Sequence, residues 1–483
     1  MPRTRSKSVP GGVAWHAMLG DLNATEPEAS GKSRIGVYAR VKPTSSHEER
    51  GDIVVRDAKR GLILCTTPHN SLEFALDEAF DSDASQESVY DVVGRQRVAG
   101  ILDGFDATVL AYGQTGSGKT HTMFGPDAVI QHFGTSDPAE HGIVPRACDH
   151  LFTELREAPP GATWQVECGY VEVYNDKLYD LLNSRAAVTV KERPHGGGAS
   201  AEGLVYEPVA STEEAVALLA RGNAQRVTAA MKMNARSSRG HALLIVSVKQ
   251  LLSGGGERGG KLTLVDLAGM ESSKKSYAVE GASNNPARRE EAKNINQSLY
   301  ALGSVVERLS AHRHGGAGHE HIPFRDAKLT RLLQEAMQGG ATAIVVTLRA
   351  ETGTLDESIG TLRFAQRARA VQVTVAQNEE TLAPAQLQRQ LLEARAELDL
   401  LRAQMHAMQQ ARAVSAGGGD EGEVVIALRA ELSALRESCA RRRLKRRGGN
   451  EGSGGHLTPA RPRPKPVHSP ARTRPQSTRD SDS

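Results

Sequence analysis

The sequence predicts an α/β fold, a central sheet with helices on both faces. Three observations carry this expectation. Apolar strand-like runs alternate with helical stretches through most of the 483 residues, one such run opens into a glycine-rich loop and a helix, and another ends in an aspartate. At 39% hydrophobic and 24% charged the composition is globular, and the length exceeds one ordinary core, so one large domain with appendages is expected.

Residues 1–33 mix Pro, Gly, Ser and charges without periodicity and read as a disordered leader. The first strand is expected at 35–41. Residues 74–80 and 86–90 then lead through a helix to ATVLAY at 107–112, a buried strand. It opens into GQTGSGKT at 113–120, which satisfies G-x-x-x-x-G-K-[S/T]. Glycines at both ends free the backbone to turn consecutive N–H groups onto a β-phosphate, which implicates Gly113, Gln114, Thr115, Gly116, Ser117 and Gly118 in a phosphate cradle. Lys119 would reach the β- and γ-phosphates and the Thr120 hydroxyl would ligate Mg²⁺. A helix running on through His121 would point its positive end at the anion. A flexible Gly/Ser loop is the alternative, and the strand before it argues against that.

Residues 142–146, a helix and a β-rich stretch at 164–174 follow. NARSSRGH at 234–241 offers two adjacent hydroxyls, Ser237 and Ser238, and the Arg239 guanidinium, just before a strand at 242–248. LTLVDLAGME at 262–271 is an apolar strand ending in Asp266, a carboxylate that would stand beside Mg²⁺. Gly269 could present its N–H to a γ-phosphate, and the carboxylate of Glu271 follows. LSGGG at 252–256 imitates the signature of transporter-type ATPases, but Leu267 follows Asp266 where those proteins carry Glu, so it reads as a hairpin turn. The absence of Asn-Lys-x-Asp disfavours a GTPase.

Cys65, Cys148, Cys168 and Cys439 are far apart and form no CxxC, which favours packing residues in a reducing cytoplasm. No run approaches the ~18 apolar residues of a membrane span. The net charge of +3 conceals a basic tail: residues 441–483 carry 12 Lys/Arg against 3 Asp/Glu. Nucleic acid, anionic lipid and acidic protein surfaces could all attract it.

GQTGSGKTHTM at 113–123, NARSSRGH at 234–241, DLAGME at 266–271, NINQSL at 294–299 with ALG at 301–303, and HIPFRDAKLT at 321–330 resemble the kinesin motor domain, block by block and in order, over roughly residues 34–372. The resemblance implies a P-loop NTPase with a central eight-stranded mixed sheet, three helices on each face, and an ATPase cycle coupled to microtubule binding with ATP and Mg²⁺ as cofactors. It implies that Arg40 and Pro43 border the adenine and that His121 stacks near it. Ser237 and Ser238 match the first switch, Ser238 joining Thr120 and Asp266 around Mg²⁺. Arg239 and Glu271 match the pair that bridges the two switches, with Glu271 accepting a proton relayed from the lytic water and Gly269 sensing the γ-phosphate. Gly240 and Met270 depart from the family, which usually has serine at both. The first is expected to add flexibility beside switch one and the second bulk in switch two. The segment 272–290 is longer than usual and lacks the family's Thr-Gly.

Tubulin presents an acidic face, and Lys274, Lys275, Arg325, Lys328 and Arg331 match the family's track-facing positions; a solvated basic face is the alternative for any one of them. His312, Arg313, His314, His319 and His321 would add charge below neutral pH or coordinate a metal. LRFAQRA at 362–368 resembles the end of the motor's last helix, and 371–378 resembles the neck linker of conventional kinesin, placing the linker at 373–384. Apolar residues recurring from Leu387 to Met408 in steps of four and three predict a short coiled coil over 385–412, hence a homodimer, with a helix folded back on the motor as the competing reading. A Gly-rich break at 413–422, a resumed helix at 423–440 and a basic disordered tail at 441–483 complete the chain. The tail would serve as a second microtubule contact, a nuclear import patch or a solubilising segment. No cargo domain is visible. These features predict an ATP-driven, plus-end-directed microtubule motor of the cytoskeleton. An ATP-switched microtubule binder without stepping is the alternative, and a nucleic-acid ATPase would instead require DNA or RNA to stimulate turnover.

Overall fold

The computed structural model describes residues 32–44, 53–67, 69–159, 162–193, 198–232, 239–252, 256–270, 286–311, 321–381, 395 and 402. The chain divides into two units, Met1–Leu382 and Ala383–Ser483, and the fold below belongs to the first. Apart from residues 395 and 402, the expected coiled coil, Gly-rich break, second helix and tail lie outside the described residues.

Ten strands form the path of the central sheet: β1 (Gly36–Val41), β2 (Glu78–Phe80), β3 (Ala107–Tyr112), β4 (Thr163–Tyr174), β5 (Lys177–Asp180), β6 (Ala186–Glu192), β7 (Ala199–Glu202), β8 (His241–Leu251), β9 (Gly256–Asp266) and β10 (Ala341–Leu348). Their spatial order is β7-β6-β5-β4-β8-β9-β3-β10-β1-β2. The pairs joining β9, β3, β10, β1 and β2 are parallel, and those from β7 to β9 are antiparallel, so the sheet is mixed as expected.

Among the described residues the sheet has twelve strands, four more than the eight expected. The β6–β7 hairpin extends it beyond β5. Two short segments, Glu207–Pro208 on β4 and Glu379–Thr381 on β9, occupy stretches of those long strands that their shorter neighbours leave unpaired. Each addition satisfies backbone donors and acceptors that would otherwise form a bare edge. A separate three-stranded sheet spans Ile53–Asp57, Leu62–Thr66 and Ser71–Ala75.

Every residue of β3 and of β10 is buried, the burial expected of parallel strands covered on both faces. The cover comes from α1 (Gln86–Val93), α2 (Arg95–Leu102), α3 (Lys119–Phe124), α4 (Ile143–Glu157), α5 (Thr212–Lys232), α6 (Pro286–Ala311) and α7 (Leu355–Arg369). The first five pack as one connected group; α7 packs on β1 and β10 and against α6. Ser85 caps α1, its Oγ accepting from Ser88 N at 3.1 Å.

One expectation about the start of the domain changes. Lys32–Arg34 is a strand paired with Gln372–Thr374, so the fold begins inside the segment read as a disordered leader. A polar tripeptide carries no strand signal of its own; its partner strand and the Arg34 Nη2 to Asp77 Oδ1 contact at 2.6 Å hold it. The linker segment lies along the sheet as an added strand: Asn378 N donates to Gly104 O at 2.8 Å, Gly259 N donates to Asn378 O at 3.1 Å, and Glu379–Thr381 pairs with Gly256–Arg258. Strands β8 and β9 pair as a hairpin, with Leu252 N donating to Gly256 O at 2.9 Å, while residues 253–255 of the LSGGG stretch lie outside the described residues.

Candidate functional site

The glycine-rich loop leaves β3 at Gly113, where φ is +153° and an added Cβ would come 2.5 Å from Thr347 O. Only glycine fits so close an approach to β10. The loop re-enters helix at Gly118, φ +99°, the residue before α3. Ser117 Oγ shares a hydrogen bond with Thr347 Oγ1 at 2.6 Å and donates to Gln114 O at 2.8 Å, which pins the loop to the sheet. Lys119 is buried, its Nζ donating to Gly113 O at 3.0 Å and Gln114 O at 2.9 Å.

Asp266 closes β9 beside this loop. Its Oδ2 accepts from Thr120 Oγ1 at 2.8 Å, while Oδ1 is buried with no hydrogen-bond partner among the described residues. Burial pushes the carboxyl above its usual range, and Arg226, Lys119 and the Thr120 hydroxyl oppose the shift. A buried, unsatisfied carboxylate oxygen beside a hydroxyl is what a hard divalent cation takes, so Thr120 and Asp266 fit Mg²⁺. A cavity of about 200 Å³ lies between Gly116, Lys119, Thr120, His121, Arg226 and Asp266, room for the phosphate end of a nucleotide.

Arg226 was not singled out by sequence. It projects from α5, its Nη2 donating to Gly240 O at 3.1 Å and its Nε standing 3.7 Å from Glu172 Oε1. Burial alone would lower its pKa, but Tyr170, Asp266 and Glu172 more than reverse that and hold it charged. Glu172 is gripped on its other oxygen by Arg185 at 2.6 Å. Here the expectation for Gly240 is corrected: the residue is buried, and a Cβ on it would sit 2.5 Å from Glu172 Oε1. Its smallness serves close packing against a paired carboxylate, not flexibility.

The bulk of Met270 is likewise absorbed. Its N donates to Gly113 O at 3.2 Å and its Sδ accepts from Tyr112 Oη at 2.9 Å, with Tyr112 stacked 4.0 Å from Phe364. Gly269 faces the phosphate loop so closely that a Cβ would fall 1.8 Å from Thr115 Oγ1. His241 fixes the same junction from the other side. Ala268 N donates to its Nδ1 at 3.0 Å, which assigns the proton to Nε2, 2.9 Å from Ser298 Oγ on α6.

Burial pushes the His241 pKa down to about 3 from 6.5. Between those values the unfolded chain binds the proton and the folded chain does not, so stability falls as pH drops. His241→Asn, which keeps an acceptor near Nδ1, is expected to lose about 2 kcal/mol less stability than the parent between pH 7 and pH 5. Paired denaturant titrations at the two pH values measure it; identical losses would assign the acid sensitivity elsewhere.

Arg40 Nη1 donates to Gln86 Oε1 at 2.7 Å and to Thr122 Oγ1 at 3.2 Å, and burial lowers its pKa to about 10, still cationic at neutrality. Gln86 Nε2 lies 3.2 Å from His121 Nε2 and donates to His121 O at 2.8 Å. Gln86, also missed by sequence, thus fixes Arg40 and His121 relative to each other, while Pro43 is exposed beyond them. Burial and the Arg40 charge lower the His121 pKa and favour a neutral ring.

Among the track-facing candidates, Arg325 makes two contacts to Glu192, both 2.9 Å, and Arg331 Nη2 stands 3.6 Å from the same carboxylate. Lys328 N donates to Asp176 Oδ1 at 2.9 Å, which satisfies the first N–H of the helix Lys328–Leu332. Arg325 is 71% exposed even so. Ser237, Ser238, Glu271, Lys274 and Lys275 lie outside the described residues, as do His312, Arg313, His314 and His319. Arg239 is described and half-buried. Cys65, Cys148 and Cys168 are free and buried, and among the described residues no helix is long and apolar enough to cross a membrane.

Comparison with known proteins gives one answer. The kinesin motor domain family model matches residues 40–371. The chain is 32% identical over 431 residues to kinesin-like protein Klp61F of Drosophila melanogaster, covering 86% of this chain and 39% of that protein. It is 39% identical over 310 residues to kinesin-related protein 5 of Dictyostelium discoideum (64% and 30% covered) and 33% identical over 361 residues to kinesin-like protein 3 of Schizosaccharomyces pombe (74% and 62%). It thus spans 30 to 62% of the length of these relatives. The solved structure of a fast kinesin superposes with a TM-score of 0.64 at 32% identity, covering 73% of this chain and 95% of that one.

Proposed function

Because the chain belongs to the kinesin motor-domain family, we propose that it hydrolyses ATP and uses the cycle to move along microtubules, toward the plus end because the linker follows the motor. The observation that carries this reading is the junction of two chain segments at one phosphate-sized cavity: Thr120 on Asp266 at 2.8 Å with Oδ1 unsatisfied, and Gly269 against Thr115.

ATP with Mg²⁺ supplies a phosphoryl group whose developing charge the metal neutralises. Residues 113–118 hold the phosphates through backbone N–H groups, and Lys119 exchanges its two carbonyl partners for phosphate oxygens. Thr120, Ser238 and Asp266 would hold the metal. Ser237 orients the attacking water, and Glu271, paired with Arg239, takes the proton relayed from it. Gly269 N–H reads the terminal phosphate, and the Met270 N to Gly113 O bond ties that reading to the loop. Arg40, Pro43 and His121 border the adenine. Lys274, Lys275, Arg325, Lys328 and Arg331 meet acidic tubulin, Arg325 and Arg331 trading Glu192 for carboxylates of the track. Residues 385–412 pair two copies into a dimer on the microtubule cytoskeleton.

Turnover measured with and without microtubules, together with gliding of polarity-marked filaments, tests the reading. Strong stimulation with plus-end motion of the motor supports it. Nucleotide-dependent pelleting without stimulated turnover would replace it with an ATP-switched binder.

A further inference from the structure

The amide of Gln86 is held in one orientation. Its Oε1 accepts from Arg40 Nη1 at 2.7 Å, a short bond to a cation, and its Nε2 donates to the carbonyl oxygen of His121 at 2.8 Å. Turned over, the amide would set N–H against guanidinium and oxygen against carbonyl, and both bonds would be lost. Nor can the side chain swing away. Gln86 is 5% exposed and opens a helix capped by Ser85, and one turn on Tyr90 Oη shares a 2.8 Å hydrogen bond with His150 Nδ1 on α4.

That orientation decides the state of a neighbouring ring. The same Gln86 Nε2 lies 3.2 Å from His121 Nε2. An amide nitrogen donates and does not accept, so the ring nitrogen facing it must be the acceptor. In a neutral imidazole the proton then belongs to Nδ1. The burial and the Arg40 charge that favour the neutral ring agree with this assignment. Among the described residues His121 Nδ1 has no hydrogen-bond partner, while His121 is exposed and lines the cavity beside the phosphate loop.

We propose that Gln86 is a positioning residue for nucleotide binding: it locks His121 in one orientation as the Nδ1–H tautomer, so the ring offers the nucleotide a donor and not an acceptor. The complementary atom on the ligand is an acceptor, a nitrogen of the base or an oxygen of the ribose or phosphates. Arg40 does not depend on Gln86 alone, because Thr122 Oγ1 at 3.2 Å and Ala84 O at 3.3 Å also receive it. The function of Gln86 therefore passes through His121. Its value for nucleotide binding rests on the ATPase reading; the tautomer does not.

The test uses the full chain with 15N in its histidine rings, the His121 signals being those that His121→Phe removes. Two-bond 1H–15N correlation spectra, recorded above the ordinary histidine titration range, should show Nδ1 protonated and Nε2 bare in the parent. Gln86→Glu, whose carboxylate only accepts, should move the proton to Nε2 while still receiving Arg40. Calorimetric titration with Mg-ADP should show Gln86→Leu binding about tenfold more weakly than the parent, the scale of one hydrogen bond. In a His121→Phe background the same substitution should change affinity by less than about twofold, a non-additivity that a general loosening of the helix would not produce. Should Gln86→Leu fail to fold, the proton shift in Gln86→Glu carries the test. An Nε2–H ring in the parent, or equal losses from Gln86→Leu in the two backgrounds, would overturn the proposal. A parent that does not bind Mg-ADP would sink the ATPase reading and leave the tautomer result standing.

Discussion

Lys119→Ala will lower ATP affinity at least about 100-fold. The ammonium is buried and donates to two carbonyls of its own loop, acceptors weaker than the oxygens of a phosphate. Two charge-assisted contacts to phosphate oxygens, at about 1.5–3 kcal/mol each, set the size of the loss. The loop itself should survive, because Ser117 and Gly113 pin it to β10 without the lysine. Titration with a fluorescent nucleotide, alongside far-UV circular dichroism to check the fold, gives the answer. Normal affinity in a folded variant would remove the cradle assignment.

Gly269→Ala is expected to cut microtubule-stimulated turnover on the order of 100-fold, the cost of displacing a reacting-site group by about 1 Å. No Cβ can stand 1.8 Å from Thr115 Oγ1 and 2.9 Å from Thr115 N, so either the phosphate loop or the segment after β9 must move. Both form the proposed site. Adding Thr115→Ala removes the worse of the two clashes and should recover part of the rate, a non-additivity that a remote structural defect would not produce. Full activity of the single variant would show that the two segments do not meet during turnover.

The glycine-rich loop of the candidate site was legible because its signal is local. A strand, two glycines at fixed spacing, a lysine and a threonine follow one another in the chain, and the structure brings Lys119, Thr120 and Asp266 together as their spacing and residue types suggested. The alternation of strands and helices likewise made an α/β sheet with helices on both faces readable, and the family resemblance added that the sheet is mixed. What escaped was set by tertiary approach. Arg226 sits on a helix among other polar residues, and nothing near it in sequence marks it as the one that turns toward Asp266 and Gly240. Glu172 interrupts an apolar strand and would read as a solvent-facing residue, yet it is buried between Arg185 and Arg226. Gln86 looks like an ordinary first-turn residue until Arg40 and His121 close on it. Lys32–Arg34 becomes a strand only because Gln372–Thr374 arrives beside it from the far end of the domain. Gly240 shows the opposite error: glycine was read as freedom, whereas close contact with Glu172 requires it.

The central claim is that the occupant of the cavity between Lys119 and Asp266 decides how this domain grips tubulin. Rates of release from microtubules, measured by stopped flow on one preparation loaded in turn with a non-hydrolysable ATP analogue and with ADP, test it most directly. The account predicts slow release with the analogue and release at least about tenfold faster with ADP, a coupling of roughly 1.4 kcal/mol. Equal rates in the two states would contradict it.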